Sequence, residues 1–587
     1  MKKLIEKVFS IQGIRFLFVG GLNTLVGYGI YALLVYLNVN YLVANTISTI
    51  IGVAHSYLWN RYFTFKSKQK ALKEITKFVS VYIASYLIGM CTLFIFKDKL
   101  NISPYIAGLI NLVITTLISY FGHKYISFKD GSMNTKKIVN YFKEIIEPGK
   151  IEWILFLIIF TVSFLIFKFP DIDTTTTNGI HFIDLLLKGE PYKLYEVAYK
   201  GGTMITYDFP IFIIFGIWNF PLLIYQNITH LDWNSTFFGI LWAKIILIPF
   251  LFGSAYFLNK ISEFLIEKSE DRKLLKYLFL TSPLLIMTIC QFAGYDIISV
   301  FFTLIGIYYY LKNDTKKFIL FFSIAITLKL FALFIFLPLM LLKEKNIIKI
   351  GLYHFFAILP FAIAKSIYYN APYYKISMDS FNEGMFNRLI YSSIPLQDVG
   401  AVSIFFVFYI LVCVICYILS KNYYKKYCIT ICFIVYSIFE LFVLQHPQWY
   451  IINVPYLAII IVNDHKYINI KLLFETIYEI SVLSIYYISF THVFNPRILM
   501  NDMLIGVLTN HTSNYTFKNL IEANHISNLL PIFSSISIVC IILIIYLTFN
   551  DNKKIEDKKV INRGLVWLRT FSIIPFMLVI IISFFVK

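Results

Sequence analysis

Residues 169–210 read FPDIDTTTTNGIHFIDLLLKGEPYKLYEVAYKGGTMITYDFP, and the reading of this stretch decides how the rest of the chain is assembled. It is the longest polar segment that follows a long apolar run. Asp171 and Asp173 come directly after that run. Charge beside hydrocarbon is costly, so two carboxylates at the mouth of a spanning helix need a reason to be there. The stretch predicts a polar loop on one face of a membrane, with spanning helices before and after it.

The composition agrees with a membrane setting. Of 587 residues, 58% are hydrophobic, 18% aromatic and 14% charged. A soluble domain carries about half apolar and about a quarter charged residues. Many apolar runs reach the roughly 20 residues that a helix needs to cross a bilayer. The expected fold class is an all-α polytopic membrane protein. The first run, Ile14–Leu37, is too long for a signal-peptide core and reads as a retained helix.

The net charge is +19. Nucleic-acid binding is excluded as its cause, because the cations sit between apolar runs: Lys66–Lys77, Lys124–Lys150, Lys260–Lys276, Lys421–Lys426 and Lys553–Arg569. That is the pattern of cytoplasmic loops. It places the amino terminus in the cytoplasm and residues 169–210 on the outer face of the cell membrane. All seven cysteines lie in or beside apolar runs. Cys413 and Cys416 have CxxC spacing, but no further ligands follow at zinc-site spacing.

Four apolar runs (Ile14–Leu37, Leu42–Trp59, Phe78–Phe96, Pro104–Gly122) make a first domain, residues 1–132, expected as a four-helix bundle. It is internally duplicated. Ser56–Lys66 reads SYLWNRYFTFK and Ser119–Lys129 reads SYFGHKYISFK. Arg15-Phe16 matches Lys77-Phe78, and Gly27 matches Gly89. Both copies begin inside, so the duplication is parallel, a device common in transporters. Residues 133–150 are polar and basic and read as a cytoplasmic linker. Residues 151–587 form a second, larger membrane domain, bringing the expected total to about fifteen spans. Two features depart from simple spans. Tyr207–Tyr225 is broken by Asp208, Pro210, Asn219 and Pro221 and reads as re-entrant. Phe318–Leu342 has basic flanks at both ends and reads as a hairpin with its tip near Leu328–Ala332.

The tip carries Lys329, the only charge between Phe318 and Leu342. Twelve residues beyond Lys317, a helix lifts it about 18 Å, past the bilayer centre. A lysine that deep needs an anion or water. Asp171 and Asp173 suit a general base that takes a proton as a hydroxyl attacks. Their DxD spacing also suits a divalent cation, Mg or Mn. Which of the two takes the proton stays open, with Asp173 favoured. Arg388 and Arg497 are candidate phosphate ligands in later outer loops.

The motifs carry two resemblances. Val19-Gly20-Gly21-x-Asn23-Thr24 and Asn60-Arg61-Tyr62-Phe63-Thr64-Phe65 resemble the GtrA-like family over residues about 10–130. The resemblance implies movement of polyprenyl-phosphate-linked sugars, with Asn23, Asn60, Arg61 and Lys124 as lipid-sugar contacts. The order Asp171-Ile172-Asp173, Gly189-x-Pro191-Tyr192 and Tyr207-Asp208-Phe209-Pro210 resembles the first outer loop of GT-C glycosyltransferases. Gln291–Asp296, the Lys329 hairpin and His446-Pro447-Gln448-Trp449 resemble further parts of that superfamily. This implies an inverting glycosyltransferase with Asp173 or Asp171 as base, and Lys329 on the departing phosphate. Asp296, His446, Gln448 and Tyr207 would be substrate contacts. The expected donor is a polyprenyl-phosphate monosaccharide and the acceptor an outer-face glycan or lipid. The competing expectation is a lipid-linked-sugar flippase or scramblase with no transferase activity.

Overall fold

A computed structural model gives the architecture. It describes residues 16, 19–23, 26, 30, 51–65, 67, 71–94, 114–128, 145–167, 170–202, 205, 207–396, 400–443, 445–463, 466–491, 517–523, 525–550 and 561–577. The chain divides into two compact units, residues 1–142 with 585–587 and residues 143–584. It is a helical integral membrane protein.

In the first unit the sequence repeat is a structural repeat. Each copy ends in one widened helical turn, at Asn60–Thr64 and at His123–Ser127. In each, an amide bonds five residues back: Phe65 to Asn60 at 2.8 Å and Phe128 to His123 at 2.9 Å. Such turns are rare and concentrate at functional positions. The rings around them pack in matched pairs. Tyr57 meets Phe78 edge-on at 5.3 Å, and its counterpart Tyr120 meets Phe16 edge-on at 5.2 Å. Phe65 meets Phe16 at 6.1 Å, and Phe128 meets Phe78 at 5.7 Å. Phe65 and Phe128 stack on each other at 4.8 Å.

In the second unit, three helices are long and apolar enough to cross a bilayer, among the described residues: Phe237–Ser262, Ile347–Tyr368 and Ile526–Phe549. Three bent pairs raise the number to six. They are Pro210–Trp218 with Phe220–Thr229 (60°), Ser269–Leu280 with Pro283–Gln291 (47°), and Ile404–Ile418 with Lys421–Phe442 (110°). The first of these breaks at Asn219, inside the run expected to be re-entrant. The expected hairpin forms as helices Thr315–Leu328 and Phe331–Lys343, broken at Lys329 and Leu330. Phe318 stacks on Phe336 at 5.1 Å. Along one straight helix those rings would be about 27 Å apart, so the chain doubles back.

Residues 169–210 are not a loop, contrary to expectation. Pro170–Leu187 is a helix, followed by a short turn at Pro191–Lys193 and a helix at Leu194–Lys200. Pro170 opens the first helix with a fixed φ and no orphaned amide. Its acidic start suits the positive end of the helix dipole. Gly189, at φ 75°, closes it in the left-handed conformation, and Glu190 N–H reaches back to the Leu185 carbonyl at 2.8 Å. The Thr174–Thr177 run hid this helix, because β-branched residues are weak helix formers. Burial of Ile172, Thr175, Thr176, Ile180 and Phe182 overrides that preference. Gly179 faces Gly216 with no space for a side chain on either, so these two helices touch backbone to backbone.

The segment between helices Ile347–Tyr368 and Ile404–Ile418 has structure of its own. It holds a helix, Tyr374–Leu389, and an antiparallel ladder of Ser393–Leu396 with Gly400–Ser403. The ladder is a small departure from an all-α fold.

Two buried cations tie distant helices together. Lys244, fully buried in helix Phe237–Ile245, donates to the carbonyls of Phe164 at 2.6 Å, Phe167 at 2.5 Å and Cys290 at 2.9 Å. Arg569 belongs to a run expected to be a cytoplasmic surface, yet it is 1% exposed. It grips Glu475 through Nε at 2.6 Å and Nη2 at 2.5 Å, and donates to Thr281 Oγ1 at 2.8 Å. The charge is buried because a bidentate carboxylate matches the guanidinium fork.

Candidate functional site

The site grows from the turn between Met287–Gln291 and helix Asp296–Leu311. Here the chain winds wide: Phe292 N–H reaches Met287 at 3.0 Å and Gly294 N–H reaches Thr288 at 2.9 Å. Ala293 sits at φ 49°, a conformation that costs energy for a residue with a side chain. A side chain at position 294 would meet Gln448 Cβ at 3.0 Å and Thr288 Cγ2 at 3.1 Å. Glycine lets Gln448 sit close against the turn. Gln291 is buried and accepts a hydrogen bond from Tyr487 at 2.7 Å.

The turn delivers Asp296 to the first position of its helix, 1% exposed. The helix hairpin delivers Lys329 to the same place. Lys329 Nζ lies 3.2 Å from Asp296 Oδ1. It also faces the ring of Tyr295 at 4.4 Å and the ring of Tyr207 at 4.9 Å. Those rings meet edge-on at 5.1 Å. A carboxylate and two aromatic faces therefore satisfy the one deep lysine of the hairpin. The second carboxylate oxygen, Asp296 Oδ2, has no hydrogen-bond partner.

Next to this pair lies a second group. Phe331, two residues past Lys329, packs on Trp449 at 4.7 Å. Arg388 lies over the same indole at 5.6 Å, and the ring of His446 is 5.0 Å from it. Tyr207, Asp296, Lys329, Arg388, His446 and Gln448, named from separate stretches of sequence, thus occupy one neighbourhood. Asp171 and Asp173 lie in the first turn of helix Pro170–Leu187, and their side chains are outside the described ones. Arg497 lies outside the described residues. Among the described residues, no cluster of three or more His, Cys, Asp or Glu could hold a metal ion.

The sequence reading missed Tyr295, Lys244 and Asp208 as individual residues. Asp208 accepts a hydrogen bond from Tyr374 at 3.1 Å. Tyr195, which donates to the Tyr207 carbonyl at 2.9 Å, packs edge-on against Tyr374 at 4.8 Å. Burial pushes the Asp208 carboxyl above its usual range, against the opposing pull of Lys365 and the Tyr374 hydroxyl. The signal was present in Tyr207-Asp208-Phe209-Pro210: an acid just ahead of an apolar helix.

In the first unit, Asn60 is 2% exposed and donates to Ser56 at 3.2 Å. Arg61 pairs with the buried Glu74 at 2.7 Å and donates to Tyr57 at 2.6 Å. Lys124, its counterpart in the repeat, lies over Tyr120 at 5.4 Å. The Asn23 side chain lies close to Gly52, with Oδ1 3.5 Å from where a Cβ would stand. The two widened turns hold Arg61 and Lys124 at equivalent places.

Residues 15–128, which span both widened turns, match the GtrA/DPMS transmembrane domain. YngA of Bacillus subtilis strain 168, described as an uncharacterized membrane protein, is 34% identical over 132 residues, which is 22% of this chain and 87% of YngA. The chain belongs to the GtrA/DPMS family. Within that family, GtcA of Listeria monocytogenes is described as a cell wall teichoic acid glycosylation protein. It is 30% identical over 130 residues, 21% of this chain and 88% of GtcA. YwcD of Bacillus subtilis is 28% identical over 103 residues, 17% of this chain and 81% of YwcD. All three alignments cover a small share of the chain, the length of a GtrA/DPMS domain. No solved structure matches.

Proposed function

We propose that the chain handles a sugar carried on a polyprenyl phosphate. The first unit moves or delivers that lipid to the outer face, and the second transfers its sugar to a cell-surface acceptor with inversion at the anomeric carbon. The Lys329–Asp296 pair carries the second half of this reading. A cation held deep in an apolar unit by one carboxylate and two tyrosine faces is suited to a departing phosphate, whose charge it stabilises as the glycosidic bond breaks. Gln448, with its amide, and Tyr207, with its hydroxyl, would orient the sugar. Arg388 and Arg497 would steer the phosphate. Asp173 or Asp171 would take the acceptor proton, and a Mg or Mn ion is a candidate companion of these two. The similarity to GtcA, described as a cell wall teichoic acid glycosylation protein, supports the first half. Joining both activities in one chain raises the local concentration of delivered donor at the transfer site.

The test uses the full chain in vesicles loaded with a polyprenyl-phosphate sugar and supplied with cell-wall glycan as the acceptor. Transfer releases free polyprenyl phosphate, while flipping alone releases none. Release that is lost in Lys329→Met and in Asp173→Asn supports the reading. Movement of the donor across the bilayer with no release would establish the flippase reading instead.

A further inference from the structure

A cavity of about 230 Å³ lies between helix Lys421–Phe442's last turn, the segment 445–450, helix Ile468–Ser489 and helix Leu530–Phe549. Two of its lining side chains are nine-tenths buried and incompletely bonded. Glu440, 6% exposed, accepts through Oε2 from Asn453 at 2.8 Å and from Tyr478 at 2.7 Å. Its Oε1 has no hydrogen-bond partner. Gln445, also 6% exposed, has none on either its amide oxygen or its amide nitrogen. A buried polar atom left unbonded costs about 1–3 kcal/mol, so three in one cavity call for an occupant.

The donor set describes that occupant. Glu440 Oε1 and Gln445 Oε1 accept, whereas Gln445 Nε2 donates. A metal ion would satisfy the acceptors and strand the donor. An anion would meet the Glu440 carboxylate, and no lysine or arginine is among the described lining residues. Hydroxyl groups both give and take hydrogen bonds and fit all three atoms. Ser489, Ser534, Tyr391 and Tyr450 also line the cavity. The volume is far above the roughly 10–15 Å³ that one water needs. Pro447 lines this cavity, while Gln448 backs the Gly294 turn that carries Asp296. One short segment therefore borders both places.

We propose that this cavity binds an uncharged, hydroxyl-rich ring of monosaccharide size, held by Gln445 and Glu440. On the transfer reading above, on which this clause alone rests, the ring is the terminal sugar of the acceptor.

The experiment is saturation-transfer NMR on the full chain in lipid nanodiscs. The probes are the methyl glycosides of glucose, galactose, mannose and N-acetylglucosamine. At least one glycoside is expected to receive saturation from the wild-type protein. Affinity should drop at least tenfold in Gln445→Leu, which keeps the side-chain size, and in Ser534→Trp, which fills the cavity. Glu440→Gln retains an oxygen for Asn453 and Tyr478, and weakens binding severalfold. No response to any glycoside, or equal responses in wild type and in a folded Gln445→Leu variant, would mean that water alone occupies the cavity. Polyprenyl phosphate release is measured in parallel. Binding without release removes the transfer reading and leaves the cavity, whereas release without glycoside binding does the reverse.

Discussion

Phe65 and Phe128 stack with ring centroids 4.8 Å apart and planes within 14° of parallel. They are the same residue of two sequence copies, so each copy presents to the other the surface that it receives. That is the self-complementary contact of a two-fold dimer, here within one chain.

Equivalence makes a prediction about coupling. Phe65→Leu and Phe128→Leu should each lower the melting temperature in detergent. Their double variant should lose less than the sum, by the roughly 0.5–1.5 kcal/mol that an aromatic pair contributes. Strict additivity in a double-mutant cycle would show that the stacked pair is incidental.

Lys329 and Asp296 allow stability and activity to be separated. Breaking a buried ion pair by removing one partner costs about 3–5 kcal/mol, while replacing both by apolar groups is close to neutral. Lys329→Met and Asp296→Leu should each lower the melting temperature, and the double variant should recover most of the loss. Donor turnover should stay at least about a hundredfold down in all three, the scale of losing a charge-stabilising group. Recovery of turnover in the double variant would assign the pair to architecture alone.

Lys244 anchors three carbonyls where the chain leaves Phe167 toward Asp171 and Asp173. Lys244→Met strands those acceptors at about 1–3 kcal/mol each. The expected outcome is faster amide exchange at residues 164–173 and around Cys290, measured by mass spectrometry. Unchanged exchange there would show that water replaces the ammonium.

Asp208 carries a pH dependence. Its folded carboxyl titrates above the unfolded value, because burial disfavours the charge. The protonated form is therefore the one that folding favours. The resulting stability is present below the unfolded value of about 4 and is lost as pH rises through the folded one. Asp208→Asn should flatten the melting-temperature profile from about pH 4 upward. A profile identical to wild type would show that the carboxyl titrates normally.

Some of this was legible from residue order, for identifiable reasons. Lys329 stood out because a lysine deep in an apolar run is costly without a partner, and the partner turned out to be Asp296. The repeat stood out because SYLWNRYFTFK and SYFGHKYISFK preserve the aromatics that now stack. The helix at Pro170–Leu187 did not, because threonines disfavour helix locally and only tertiary burial stabilises it. Lys244 did not stand out either. Three backbone carbonyls satisfy it, and backbone acceptors leave no trace in a sequence. Arg569 read as a surface cation because Glu475 and Glu479 lie about a hundred residues earlier.

That last separation has a consequence for biosynthesis. Glu475 and Glu479 enter the growing chain long before Arg569 does, and Ser282, which donates to Glu479 at 2.5 Å, comes earlier still. Until the ribosome has made residue 569, two acids in helix Ile468–Ser489 lack their cation. The bidentate contact between Arg569 and Glu475 therefore forms only after helix Arg563–Phe571 has been made. A chain cut short before Arg569 would leave Glu475 and Glu479 without the guanidinium that meets them in the full chain.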